Sequence, residues 1–201
     1  DVYLTGKELK LAAEVDASVS DFMTTARLYC SGLNFTFNPH RMILNKVTDC
    51  YLTREDGERI EIQDDQLYRV VTDLYTGQML GSVMEMSYGL LKIEPKDKDG
   101  NPIENLEDQA IMEGDKELKA WDAIARYMKS FDDTDGNGIS NVPEYYETTH
   151  GRKVVDESRN VIDLVKNPNK FSVMIVGIVL VLILIIILLV VLIRKLIKKR
   201  R

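Results

Sequence analysis

The sequence predicts an α+β domain, a mixed β-sheet with packed helices, followed by a single membrane-spanning helix. Three observations carry this. From Arg27 the period changes to two, beginning with the aromatic and β-branched stretch 28–37. Two stretches, after Thr5 and around Trp121, show helical spacing. Residues 171–193 form an uncharged apolar run.

In chain order, Val2-Tyr3-Leu4 reads as the end of a strand. Thr5-Gly6-Lys7-Glu8 then fits a capping box, with Leu4 and Leu9 placed to close a hydrophobic staple. Leu9, Ala12 and Ala13 share one helical face, which fades by Asp16 to Ser20. Residues 28–37 are read as a strand turned by Asn38-Pro39-His40-Arg41 into a second strand at 43–52. The Glu55-Asp56-Gly57-Glu58 turn leads to Arg59–Ile62 and then to the strand 66–75, giving a meander of three or four strands. The Met-rich segment between Gly77 and Gly89 reads as core filling. Leu90–Pro95 reads as a further strand and residues 96–105 as a polar loop. Asp115–Phe131 is expected to be a helix with Asp115 as its N-cap. Leu118, Trp121, Ile124, Ala125 and Met128 would form its core-facing side, with Trp121 as an anchor.

If the 28–52 hairpin turned about His40, Cys30 and Cys50 would stand opposite each other. A disulfide and two half-buried free thiols both fit that reading. With His40 and His150 the only histidines, no zinc spacing is completed.

The twelve residues Asp133–Glu144 match the calcium-loop template D-x-[DN]-x-[DN]-G-x5-E. Asp133, Asp135 and Asn137 would present oxygens, Gly138 allows the sharp turn, and the Ile139 carbonyl follows. Asn141 would act through water and Glu144 would close bidentately. Hard oxygen ligands suit Ca²⁺; the competing reading is an Asp/Asn/Gly turn that ends a helix. Ser140 replaces the hydrophobe that usually pairs two such loops, so weak binding with a structural role is expected.

The run Phe171–Ile193 spans 23 residues with no charge, long enough as a helix to cross a hydrocarbon core of about 30 Å. The tail 194–201 takes six of the 26 basic residues and none of the 32 acidic ones, which leaves residues 1–170 at a net −12. Dense Lys/Arg beside a span keeps that end cytoplasmic, so residues 1–170 are expected outside the cell. A tail-anchored domain facing the cytosol is the competing orientation. The acidic exterior argues against nucleic acid as a partner. Asp1 is not a start residue, and export would need an upstream signal. The expectation is a C-terminal piece of a longer protein.

The segments V-Y-L-T-G-K-E-L-K (2–10), S-G-L-N-F-T-F (31–37), Y-R-V-V-T-D (68–73) and W-D-A-I-A-R-Y-M (121–128) stand in one order and spacing. In this they resemble the C-terminal domain of the 5′-nucleotidase family, in a membrane-anchored bacterial form. The resemblance implies a substrate-pocket domain working with an N-terminal metallophosphoesterase domain, whose two divalent metal ions activate water. It implies a nucleotide or related phosphoester as substrate, with aromatic side chains stacking on the base. The first such position falls on Arg27 without gaps; Tyr29 serves only if the register shifts. The second belongs to a G-G-D-G-aromatic loop, where this chain has Thr76–Met86 instead; Tyr75 lies just before it.

No catalytic constellation lies in the chain, so it is not expected to hydrolyse anything alone. The resulting division is a nucleotidase-like domain at 1–131, a calcium loop at 132–145 and a stalk at 146–170. A span at 171–193 and a basic tail at 194–201 complete it. A calcium-stabilised surface module for display or adhesion, with no enzymatic partner, is the alternative function.

Overall fold

A computed structural model describes residues 1–24 and 27–199; Arg200 and Arg201 of the basic tail lie outside the described residues. Strand β1 (Val2–Thr5) runs directly into helix α1 (Gly6–Val19). The capping box forms as the sequence predicts. The Glu8 amide donates to Thr5 Oγ1 at 3.3 Å and the Thr5 amide donates to Glu8 Oε2 at 2.8 Å. Leu4 and Leu9 are both buried in one cluster, so the staple closes.

Strands β2 (Leu33–Phe37), β3 (Val47–Thr53) and β4 (Arg59–Glu61) form the antiparallel meander. Strand β5 (Leu67–Val70) leaves it and pairs antiparallel with β1 instead. Helix α2 (Leu74–Met86) follows, and the Met-rich segment is therefore helical. A short hairpin, β6 (Met112–Glu113) with β7 (Lys116–Glu117), precedes helix α3 (Ala120–Lys129). Strand β8 (Lys153–Val155) joins the meander in parallel beside β2, completing the order β4-β3-β2-β8. The short helix α4 (Val161–Val165) then leads to the 30-residue α5 (Lys170–Lys199). The molecule is thus α+β, with one helix long and apolar enough to cross a membrane.

Helix α1 is the centre, with ten of its 14 residues buried. Leu9, Ala12 and Val15 pack with Leu4, Leu91, Ile93 and Phe171. Ala13 and Ala17 face Phe35 of the meander, where their small side chains let the helix lie close to the sheet. Gly6 is required by a similar approach. A Cβ there would stand 2.1 Å from the carbonyl oxygen of Gln63. The space is used for hydrogen bonds: the Gly6 amide donates to Gln66 O at 2.9 Å and the Lys7 amide to Asp64 O at 3.0 Å. Two of the helix's otherwise unpaired N-terminal amides are satisfied in this way.

Several expectations are corrected. Asp115 is not a helix cap. Glu113-Gly114-Asp115-Lys116 makes the tight turn between β6 and β7, with Gly114 at φ 60°. The helix therefore starts at Ala120, after Lys119 in extended conformation. Trp121 is 70% exposed, and Ile124 and Met128 lie open beside it, so this face anchors no core. Leu90–Pro95 forms no strand, although Leu91 and Ile93 are buried; only Lys96 bridges to Tyr3.

The turn between β2 and β3 spans Asn38–Lys46 rather than four residues. Its register sets Phe35, not Cys30, opposite Cys50, and both cysteines are free. The longer turn has partners that a simple hairpin would lack. Buried Arg41 donates to Asn45 O, Asp163 O and Lys166 O at 2.7, 2.5 and 2.6 Å. Asn38 Nδ2 donates to Ser158 O, and Asn169 Nδ2 to Leu44 O. The segment expected as a stalk is thereby tied to the sheet along its length, and Phe171 at the head of α5 is buried in the core.

Candidate functional site

A small cavity of about 50 Å³ opens between α1, α2 and residues 27–28. Its walls include Ala12, Val15, Leu28, Met79 and Ile93, with Arg27 and Tyr75 at its edge. Both edge residues are exposed, Tyr75 at 60%. Helix α2 presents Tyr75 this way because Asp73 caps it, accepting from the Thr76 amide at 2.9 Å and from Thr76 Oγ1 at 2.8 Å. Those bonds hold the Asp73 carboxyl below the ordinary carboxylate range. Tyr75 therefore sits in the first turn of α2 and not on a strand.

Tyr29 is placed differently. It is 89% exposed and lines no part of this cavity; Lys153 Nζ lies 5.5 Å from its ring centroid. Arg27, which occupies the ungapped stacking position, and Tyr75 are thus brought together, while Tyr29 stands apart.

What positions the cavity is the polar side of α1, and this the apolar pattern did not reveal. Asp16 Oδ1 accepts from the Leu28 amide at 2.6 Å and from Lys153 Nζ at 2.9 Å, which ties residues 27–30 and β8 to one carboxylate. Glu14 accepts from the Val47 and Lys46 amides at 2.5 and 3.1 Å, and Ser18 Oγ accepts from the Leu44 amide at 2.8 Å. Burial pushes the Glu14 carboxyl up in spite of these donors. At Glu8 burial also pushes upward, but donors from Lys96, Thr5 and Glu94 outweigh it and hold the group low. The signal available in the sequence was the placement of Glu8, Glu14, Asp16 and Ser18 on a helix that also carries Leu9, Ala12, Ala13, Val15 and Ala17.

Residues 133–144 form an exposed loop between α3 and a 3₁₀ turn at Glu144–Glu147. Asp133 organises it. Its Oδ1 accepts from the Gly136 amide at 2.8 Å, its Oδ2 from the Gly138 amide at 2.8 Å, and the latter bond leads in holding its carboxyl low. Asp135 Oδ2 accepts from Asn137 Nδ2 at 2.9 Å, and Asn141 Oδ1 from the Thr134 amide at 2.8 Å. Glu144 opens the following turn.

Among the described residues, no three His, Cys, Asp or Glu side chains converge as a metal site. A cation in this loop would also need Asn137, Asn141 and the Ile139 carbonyl, as the oxygen-only template has it. The two ends of the loop are held by aromatic contacts. Phe131 packs on Tyr127 and Tyr146 at centroid distances of 4.9 and 5.7 Å, and Tyr145 stacks on His150 at 4.0 Å. His150 is thus occupied by a ring.

Both cysteines are free and half-buried. Burial raises Cys30, and it pushes Cys50 up to about 12.

Residues 1–87 match the family described as 5′-nucleotidase, C-terminal domain. That stretch includes β1 to β5, α1, α2 and the whole cavity except Ile93. No curated protein and no solved structure matches the chain. Residues 1–87, the stretch that holds the capping box, the meander and α1, are thus similar to the 5′-nucleotidase C-terminal domain family.

Proposed function

We propose that this chain is the substrate-pocket domain of a membrane-anchored, extracellular phosphoester hydrolase acting on nucleotides or related phosphoesters. The observation that carries the reading is the family match over the stretch that builds the cavity with Arg27 and Tyr75 at its edge. In this reading the paired divalent metals belong to an N-terminal metallophosphoesterase domain of the same protein. Tyr75 would offer an aromatic face to a base, and Tyr29 takes that part only where the register of the resemblance shifts. Helix α5 would be the anchor, with residues 1–170 outside and the basic tail in the cytoplasm.

Phosphate release by the parent protein tests this, over a nucleotide panel with added divalent metal. Tyr75→Ala and Arg27→Ala are expected to raise KM or shift nucleotide preference by about tenfold, with phosphate release retained. A wild-type parent inert on every phosphoester would overturn the reading. It would leave the calcium-stabilised surface module for display or adhesion. That alternative is favoured by one observation: α2 occupies the stretch where the family places its second stacking loop.

We also propose Ca²⁺ in the 133–144 loop, with Asp133, Asp135, Asn137, Ile139, Asn141 and Glu144 as the ligand set. Glu144→Gln is expected to abolish the calcium-dependent part of thermal unfolding. Equal calcium dependence in wild type and variant would remove the site.

A further inference from the structure

A second, larger groove of about 550 Å³ lies at the foot of α5, between the first turns of α1 and the segment 89–96. Its wall includes Lys170 and Phe171, the residues at which α5 leaves the domain. Phe171 and Ser172 are buried, whereas Val173 is 63% exposed, so the helix emerges here and its apolar surface begins. Whatever surrounds the apolar helix therefore meets this face of the domain first.

The chemistry of the groove is amphiphilic. Leu11, Leu90 and Phe171 supply apolar wall, and five lysines face three carboxylates. The carboxylates are committed. Glu8 holds Lys96 at 2.6 Å, Glu14 accepts the Lys46 and Val47 amides, and Glu94 pairs with Lys92 at 3.0 Å. Lys10 pairs with Asp64 at 2.7 Å. Lys7 and Lys170 are exposed and make no ion pair among the described residues. Beside them the loop after α2 turns outward through Tyr88 at φ 51°. The Tyr88 ring is 99% exposed and Leu90 is 42% exposed. Lys170 Nζ lies 4.7 Å from the Phe171 ring centroid, and Leu90 of the groove wall with its neighbour Tyr88 projects at the base of the apolar helix. Lysines free of carboxylates beside such residues match the polar–apolar boundary of a bilayer.

We propose that this groove is a membrane-contact site that seats the headgroup of an anionic phospholipid. Lys7 and Lys170 hold the phosphate, and Tyr88 and Leu90 enter the acyl boundary. The proposal rests on the reading that α5 lies in a membrane, and it adds that the domain lies against the leaflet instead of standing clear of it.

The test uses the full chain in nanodiscs of phosphatidylcholine alone and of phosphatidylcholine with phosphatidylglycerol, each with and without inorganic phosphate. Hydrogen exchange is read at residues 87–96. Exchange there is expected to slow by about tenfold on adding phosphatidylglycerol. Lys7→Glu combined with Lys170→Gln should abolish the slowing. Equal exchange in both lipid compositions, with the chain co-eluting with the discs, overturns the headgroup site and leaves the anchor reading standing. Slowing by inorganic phosphate in phosphatidylcholine discs would assign the lysines to a soluble phosphate and overturn the lipid. Failure to co-elute with discs overturns the anchor reading and this proposal with it. The wild-type comparison decides the matter even where the variant does not fold.

Discussion

Helices α1 and α3 are opposites. By sequence α3 has the cleaner amphipathic pattern, with Trp121, Ile124 and Met128 on one side and Asp122, Arg126 and Lys129 on the other. Helix α1 has a short alanine-rich face that gives way to Asp16 and Ser18. Yet ten of the 14 residues of α1 are buried, while the apolar side of α3 lies open to solvent. Periodicity reports that two faces of a helix differ; it does not report what covers either one. For α1 the cover comes from β1, the meander, residues 91–93 and Phe171, and its buried Glu14, Asp16 and Ser18 accept from backbone amides.

The sharpest test of this contrast is Gly6→Ala. A methyl group 2.1 Å from a backbone oxygen forces α1 and the 63–66 turn apart, at an expected cost of about 3 kcal/mol. Chemical unfolding of the variant would measure it. A loss below about 0.5 kcal/mol would mean that α1 is not seated as described.

Glu8 gives a smaller, pH-dependent effect. Its folded pKa is depressed, so its contribution is present above the ordinary glutamate value and is lost as pH falls through the folded one. Glu14, whose pKa is raised, acts in the opposite sense. Comparing Glu8→Gln with wild type isolates the first group. Between about pH 6 and pH 3.5 the wild-type melting temperature should fall more steeply than that of the variant. Parallel profiles would show that the carboxylate is not held by Lys96 and Thr5.

Trp121→Ala should do least, within about 0.5 kcal/mol, and the tryptophan, the only one in the chain, should fluoresce as a solvated indole. A loss above about 2 kcal/mol would show that the α3 face is covered after all.

The parts legible in the sequence were those decided by neighbours in the chain. The Thr5–Glu8 capping box, the 55–58 turn and the apolar run of α5 depend on residues a few positions apart, and each forms as read. The misreadings arose where distant partners decide. Arg41 lengthens the 38–46 turn because carbonyls at residues 163 and 166 need a donor. Lys153–Val155 looks like stalk until β2 offers an open edge. Gly114-Asp115 could cap a helix or turn a hairpin, and only the pairing of Met112 with Glu117 decides. At the cavity, Tyr75 and Arg27 were visible as residue types near the right place. Their juxtaposition across α1 was not, since it depends on Asp16 holding the Leu28 amide from twelve residues away.

The burial of Phe171 has a consequence for biogenesis. Synthesis delivers β1, α1 and the meander early, but the last pieces of the fold lie at its far end. These are β8, the Arg41 carbonyl partners and Phe171 itself. The domain cannot finish folding from its own first 131 residues. It must wait, with the edge of β2 unpaired and a gap beside Leu4 and Leu9, until the chain has been made as far as the apolar helix. Completion of the fold and placement of α5 are then a single event: a ribosome that stalls before residue 153 would leave the β2 edge open, and one that stalls before residue 171 would leave the gap beside Leu4 and Leu9 unfilled.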